Sequence, residues 1–277
     1  MSLTDYGQST TGYAPMQIVN WKNWKEDFTI SMLFASNETV KQEKVEVLKN
    51  ELENMFEELH REQIKYVSDQ KFLAVVFSKL FDTYLHKYKA LTNFTQTLDQ
   101  QEFDCLTGTL LFALTLEKLG FQYAIHETNY HVYLTVNTSA GEVLIEATDK
   151  KFGFEKNKHL IAKRIRDYQR QYEQIKENTK QTYMSMFRIE RQISLTELIG
   201  LQYFNNAVNA YNLKKYEKAI DNLKQSLQLY DADRGTELMI MSISQSLQSP
   251  DLQAHKKGKL LQYQAFYIHK LATKLED

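Results

Sequence analysis

FDCLTGTLLFALTLEKLG (103–120), FQYAIHE (121–127), HVYLTVN (131–137) and EVLIEAT (142–148) follow one another along the chain, and their periods decide the fold. The first piece is apolar on nearly every side through Leu106, Leu110, Leu111, Phe112, Leu114, Leu116 and Leu119. It is predicted to be a helix in the middle of a domain, closed by Gly120 as a left-handed cap. The period then changes to two, which predicts three strands, with Ser139-Ala140-Gly141 turning a hairpin between the last two. A buried helix against a small antiparallel sheet gives an α+β core.

Cys105, the only cysteine of the 277 residues, opens that helix. A helix start offers unpaired N–H groups and partial positive charge, which favour a thiolate over a thiol and can hold the oxyanion of an attacked carbonyl. An ordinary thiol, with a pKa of about 8.5, needs such help and a neighbouring His to react at pH 7. His131 heads the second strand, where a rigid backbone can aim its ring, and His126 is its competitor. Glu146 and Asp149 lie on the partner strand as acids that could orient the imidazole. Alternating side chains forbid both from pointing the same way, and a one-residue shift of register exchanges them. Asp104 is expected to turn away from the sulfur or to cap the helix. Backbone N–H at Cys105, with Gln100 or Gln101, is the expected oxyanion site. A metal held by Cys105, His126, His131 and Asp149 is disfavoured, because the spacing sets the two imidazoles on opposite strand faces.

The remainder is largely helical, as 9 Gly and 2 Pro already imply. Residues 1–25 are expected to form an irregular N-terminal arm. Val40, Val45, Leu48, Leu52, Met55, Phe56 and Leu59 recur at helical steps, and residues 71–91 read as a second, well-buried helix. Residues 92–104 read as a polar stretch. The charge-rich residues 158–197 read as a connecting, partly solvated helix, with Lys158, Lys163, Arg164, Arg166 and Arg170 on a solvated face. Lys+Arg 34 against Asp+Glu 35 leaves no global field to gather nucleic acid, and no apolar run is long enough to span a membrane. One cysteine excludes an internal disulfide framework. As written, the chain starts without a leader, which implies the cytoplasm; a native leader before it would imply a periplasmic or secreted protein.

Residues 198–231 carry Tyr203, Ala207, Ala210 and Tyr211 on one helix and Tyr216, Ala219, Ile220, Leu223 and Leu227 on the next. The segment resembles one tetratricopeptide repeat, with Asp231 where the repeat usually has Pro and Ser226 where it usually has Ala. Residues 198–277 are expected to form an all-helical domain of this type, packed on the rest. Tyr203, Tyr211 and Tyr216 could line a groove for a peptide.

Residues 71–155 resemble the transglutaminase-like superfamily. The carriers of the resemblance are DCLTGTLLFALTLEKLG for the nucleophile helix, HVYLTV for the His strand, and IEAT or TDKKFGF for the acid. The resemblance implies a papain-like core in residues 26–157 and a Cys-His-Asp triad of Cys105, His131 and Asp149, the residue type the family uses, with Glu146 as the alternative acid. The usual Pro and an aromatic beside the nucleophile are missing. The helical flanks resemble those of bacterial transglutaminase-like proteins.

Two functions follow. The first is a cysteine hydrolase or acyltransferase acting on an amide or peptide bond of a protein or peptide. The second is an inactive transglutaminase-like scaffold that binds a protein partner through its C-terminal helices. No acidic calcium loop is present, so no cofactor and no metal are expected.

Overall fold

Ten α-helices and seven strands make an α+β fold in the computed structural model, which describes residues 21–178, 189–250 and 253–276. A 3-10 turn (Trp21–Glu26) leads into α1 (Phe28–Ala35), α2 (Gln42–Gln63) and α3 (Asp69–Tyr84). A two-stranded parallel pair, β1 (Lys87–Tyr88) and β2 (Glu102–Phe103), brackets α4 (Phe94–Gln100). Next come α5 (Cys105–Lys118), β3 (Tyr123–Thr128), β4 (Val132–Thr138), β5 (Gly141–Ile145), β6 (Phe154–Glu155) and α6 (Lys158–Asn178). The chain continues with β7 (Glu190–Ile193), α7 (Leu195–Asn212), α8 (Tyr216–Leu229), α9 (Asp233–Leu247) and α10 (Ala254–Glu276).

The stretch read as polar contains α4. Asn93 and Gln96 form a reciprocal capping box there, which satisfies backbone donors that a short helix would otherwise leave open. Most of the expected irregular arm, residues 1–20, lies outside the described residues, as do residues 179–188 of the connecting helix. Trp24, within the arm as expected from the sequence, is instead buried against Phe56 at a ring separation of 5.6 Å.

The main sheet runs β6-β5-β4-β3-β7, antiparallel throughout. Its β4–β5 register sets Leu134 opposite Ile145 and Val136 opposite Val143, so one face presents Val132, Leu134, Val136, Val143 and Ile145 to the core. α5 fills that face and is itself wrapped by α3, whose Phe77 and Phe81 meet Phe112 at 5.6 and 6.1 Å. A helix buried on every side must be apolar all round, which is the pattern of residues 106–116. Each fully buried Leu of this helix contributes about 2 kcal/mol relative to exposure. The opposite face of the hairpin carries Tyr133 and Leu144, which pack on Ile161, Ile165 and Tyr168 of α6. That face explains why α6 is amphipathic: only one stripe of it meets the sheet.

β7 adds an edge strand to β3, pairing Ile193 with Ile125 and Arg191 with Glu127. The chain then enters α7 through the capping box of Ser194 and Glu197. Helices α7 to α10 pack as successive neighbours, and Ala207 and Ala219 are fully buried between α7 and α8. Gly200 permits that approach, since a Cβ there would sit 2.6 Å from Tyr230 Cβ. Ser226, at the position where Ala was expected, donates from Oγ to the Gly200 carbonyl at 2.9 Å. α7 also packs on α5, and one continuous apolar core runs from Trp24 to Ile243. Among the described residues, no helix is long and apolar enough to cross a membrane.

Candidate active site

Asp104 begins the site by fixing the start of α5. Its carboxylate accepts from Thr107 N at 2.9 Å, while Thr107 Oγ1 accepts from Asp104 N at 3.1 Å. The backbone N–H donors of Leu106 and Leu91 also lie near the carboxylate, and Asp104 is 3% exposed. Burial pushes its pKa up, and the backbone bonds pull against that shift. Asp104 is therefore a helix cap, engaged with the backbone on one side and unavailable to oppose the sulfur by pointing at it. Leu91, one of its donors, is held in the left-handed region at φ 57, a conformation that costs a non-glycine residue about 1 kcal/mol. Cys105 is the first residue of α5, so its own N–H has no acceptor within the helix.

His131 sits just before β4, in the turn where Thr128 N donates to the His131 carbonyl at 2.8 Å. Its ring lies beside the Cys105 thiol, close enough for the sulfur to raise its pKa, and bonds through Nε2 with Glu146 Oε2 on the other side. Nε2 is engaged by the acid, which leaves Nδ1 as the nitrogen for sulfur. The β4–β5 register carries Glu146 onto the face shared with Tyr133 and His131, diagonal to the imidazole. Glu146 is fully engaged: Oε1 accepts from Thr148 N at 2.9 Å and Thr148 Oγ1 at 2.6 Å, and Oε2 also accepts from Tyr168 Oη at 2.6 Å.

These contacts set the charges. Burial disfavours the His131 imidazolium, but its hydrogen bonds to Cys105 and Glu146, with the charges of both, outweigh burial and hold the pKa up at about 10. Burial likewise disfavours the Glu146 carboxylate, yet the His131 bond and charge, with Thr148 and Tyr168, hold its pKa down at about 2. The pair is an imidazolium and a carboxylate at neutral pH.

Asp149, the acid expected from its residue type, does not face His131. β5 ends at Ile145, and residues 146–153 curl into a turn in which Gly153 N donates to the Asp149 carbonyl at 2.7 Å. Asp149 Oδ1 accepts from Phe152 N at 2.9 Å, and Oδ2 pairs with Arg164 Nη2 at 2.7 Å. It caps the turn and ties it to α6. Gly153 is required there, because a Cβ would fall 2.3 Å from both the Asp149 and Glu146 carbonyl oxygens.

Gln100 and Gln101 do not reach the nucleophile. Gln101 is the left-handed cap of α4 and donates from Nε2 to the Thr83 carbonyl at 3.2 Å, while Gln100 is exposed on the side facing Asn37 and Asp99. The three tyrosines do not line one groove together: only Tyr216 lines an open cavity, among Lys214, Glu217 and Lys256. Tyr203 is buried with its hydroxyl donating to the Met32 carbonyl at 2.7 Å, and Tyr211 is buried edge-on to Tyr216 at 5.5 Å. His126 lies flat on Tyr133 at 4.8 Å, with Nε2 2.9 Å from Thr135 Oγ1, and burial lowers its pKa to about 4. Among the described residues, no group of three or more His, Cys, Asp and Glu has metal-binding geometry.

A cleft of about 310 Å³ opens on Cys105 and His131. Tyr88, Leu91, the turn at Asn129, Arg234 and one face of α7 line it. Two contributors escaped the sequence reading. Tyr168 belongs to a helix whose charge masked its one inward stripe. Arg234 gave no local signal: its guanidinium pairs with Glu127 and donates to the Asn129 carbonyl at 3.3 Å, in the turn that carries His131.

No family model, no curated protein and no solved structure matches this chain.

Proposed function

We propose that the protein is a cysteine hydrolase or acyltransferase acting on an amide or peptide bond, with Cys105 as nucleophile, His131 as proton carrier and Glu146 as the orienting acid. The observation that carries this reading is His131 held by a buried carboxylate while it shares the lining of one cleft with the Cys105 thiol. The order of parts, with the thiol at a helix start, the His at a strand head and the acid just past the next strand, supports a transglutaminase-like, papain-like core. Glu146 stands in for the aspartate of that superfamily.

The chemistry follows the usual thiol route. The Cys105 thiolate attacks the carbonyl carbon, and the oxyanion forms near the Cys105 N–H. His131 gives its proton to the leaving amine as the C–N bond breaks, which leaves a thioester on Cys105. The now neutral His131 takes a proton from water, or from an acceptor amine, as that nucleophile attacks the thioester and the thiolate departs. Glu146 keeps the ring in the productive orientation and stabilises the imidazolium at both ends of the cycle.

Mixing the protein with p-nitrophenyl acetate tests the reading. A burst of one nitrophenolate per chain and an acetyl group on Cys105 by peptide mapping are expected, with both lost in Cys105→Ala. Release without any burst, equal in Cys105→Ala, would remove the enzyme reading. The scaffold reading retains one surface, the outer side of α10, where Leu261, Phe266 and Ile268 are about half exposed.

A further inference from the structure

We propose that α7 is a peptide-binding wall, so that the substrate of the cysteine site is an extended peptide segment with an uncharged, aliphatic residue at the reacting carbonyl. This rests on the triad reading above. Leu201, Asn205, Val208 and Asn212 follow at steps of four, three and four residues, which places them on one face of α7, and all four line the cleft above Cys105.

The two asparagines set this face apart. Neighbouring carboxamides are engaged inside the fold: Asn206 Nδ2 donates to the Ser36 carbonyl at 2.8 Å, and Gln202 Nε2 donates to the Thr92 carbonyl at 3.3 Å. The carboxamides of Asn205 and Asn212 make no hydrogen bond with any described residue. A carboxamide offers two donors and an acceptor, the complement of a peptide group. The span from Leu201 to Asn212 is about 16 Å at 1.5 Å per residue. That length matches about five residues of extended chain. A small amide would cover only part of that length.

The charges in the cleft are satisfied before a ligand arrives. Arg234 is paired with Glu127 and Asp104 is engaged by Thr107 and the backbone, so neither calls for a charged partner. Beside the asparagines, Leu201, Phe204 and Val208 offer apolar surface suited to a leucine-sized side chain.

The test compares two chloroketones on the intact protein: acetyl-Ala-Ala-Leu chloromethyl ketone, and chloroacetone, which carries the same warhead without a peptide. In each, the sulfur of Cys105 displaces chloride, so a C–S bond forms, the C–Cl bond breaks and chloride leaves. The readout is the ratio of the two modification rates by intact mass. A ratio well above one is expected in the wild type, larger for the leucine tripeptide than for versions ending in glutamate or lysine. It is expected to fall about 30-fold in the Asn205→Ala/Asn212→Ala double variant, as two hydrogen bonds of about 1 kcal/mol each are lost. A ratio near one, or a ratio unchanged in the double variant, overturns the peptide wall. A parallel series with His131→Ala separates the failures. If chloroacetone reacts as fast there as in the wild type, the triad reading falls and takes this proposal with it. If chloroacetone needs His131 but the tripeptide gains nothing, the peptide wall alone falls.

Discussion

His131 and Glu146 hold their charges only together, and this gives the residue scale its first measurable consequence. Glu146 has a pKa lowered from 4.5 to about 2, so its contribution to stability is present above pH 4.5 and is lost as pH falls toward 2. His131 has a pKa raised from 6.5 to about 10, so its contribution is complete below pH 6.5 and is lost as pH rises toward 10. Both are whole only between about pH 4.5 and 6.5. Urea unfolding at pH 5.5 and pH 3 should therefore differ by on the order of 2 kcal/mol more in the wild type than in Glu146→Gln. An equal pH dependence in both proteins would contradict the ion pair. The competing acid separates by a different readout. Asp149→Asn should cost about 1 kcal/mol, through its turn and the Arg164 pair, and leave the rate of Cys105 alkylation unchanged. A large fall in that rate would return Asp149 to the site. The sequence offered both acids but could not choose between them: strand alternation does not apply, because β5 stops at Ile145 and Asp149 lies in a turn, and residue type pointed to the other acid.

At the scale of elements, the sheet face and the helix start meet because of a missing side chain. Gly108 lies one turn into α5, and a Cβ there would sit 2.8 Å from the Cβ of Ala147, the residue after Glu146. Gly108→Ala should push α5 away from the hairpin and destabilise the fold by about 1–2 kcal/mol, the clash outweighing the gain in helix propensity. A higher urea midpoint for the variant would show that the approach is slack. The strong periods of α2, α5 and the β4–β5 hairpin were legible because each buries a regular stripe. α4 and β7 were hidden because they are short and held by capping and edge pairing rather than by apolar content. Tyr168 was hidden for a related reason: it sits in a charge-rich helix, where with Ile161 and Ile165 it covers Tyr133 and reaches Glu146.

On the scale of the whole molecule, the C-terminal helices share the core and complete the cleft. A buried network carries the connection: Glu127 of β3 accepts from Tyr230 Oη at 2.5 Å, pairs with Arg191 at 3.1 Å, and pairs with Arg234 of α9. Residues so distant in sequence give no local sign of meeting, which is why the helices could be read as a binding domain with tyrosines for a groove. Arg234→Met would leave the buried Glu127 carboxylate with Arg191 and Tyr230 alone and should cost about 2 kcal/mol, with the fluorescence of Trp24 and the helical signal lost in one transition. Two separated transitions would show that the N-terminal part around Trp24 and the remaining helices unfold independently.

The measurement that reaches the central claim most directly is the rate of Cys105 alkylation by iodoacetamide from pH 5 to 9, in wild type and in His131→Ala. With one cysteine in the chain, the reagent reports this site alone. At pH 6 the wild type should react at least about 10-fold faster than N-acetylcysteine, and His131→Ala should lose that advantage. Rates that match the free thiol in both proteins, or that His131→Ala leaves unchanged, would contradict an activated Cys105–His131–Glu146 triad.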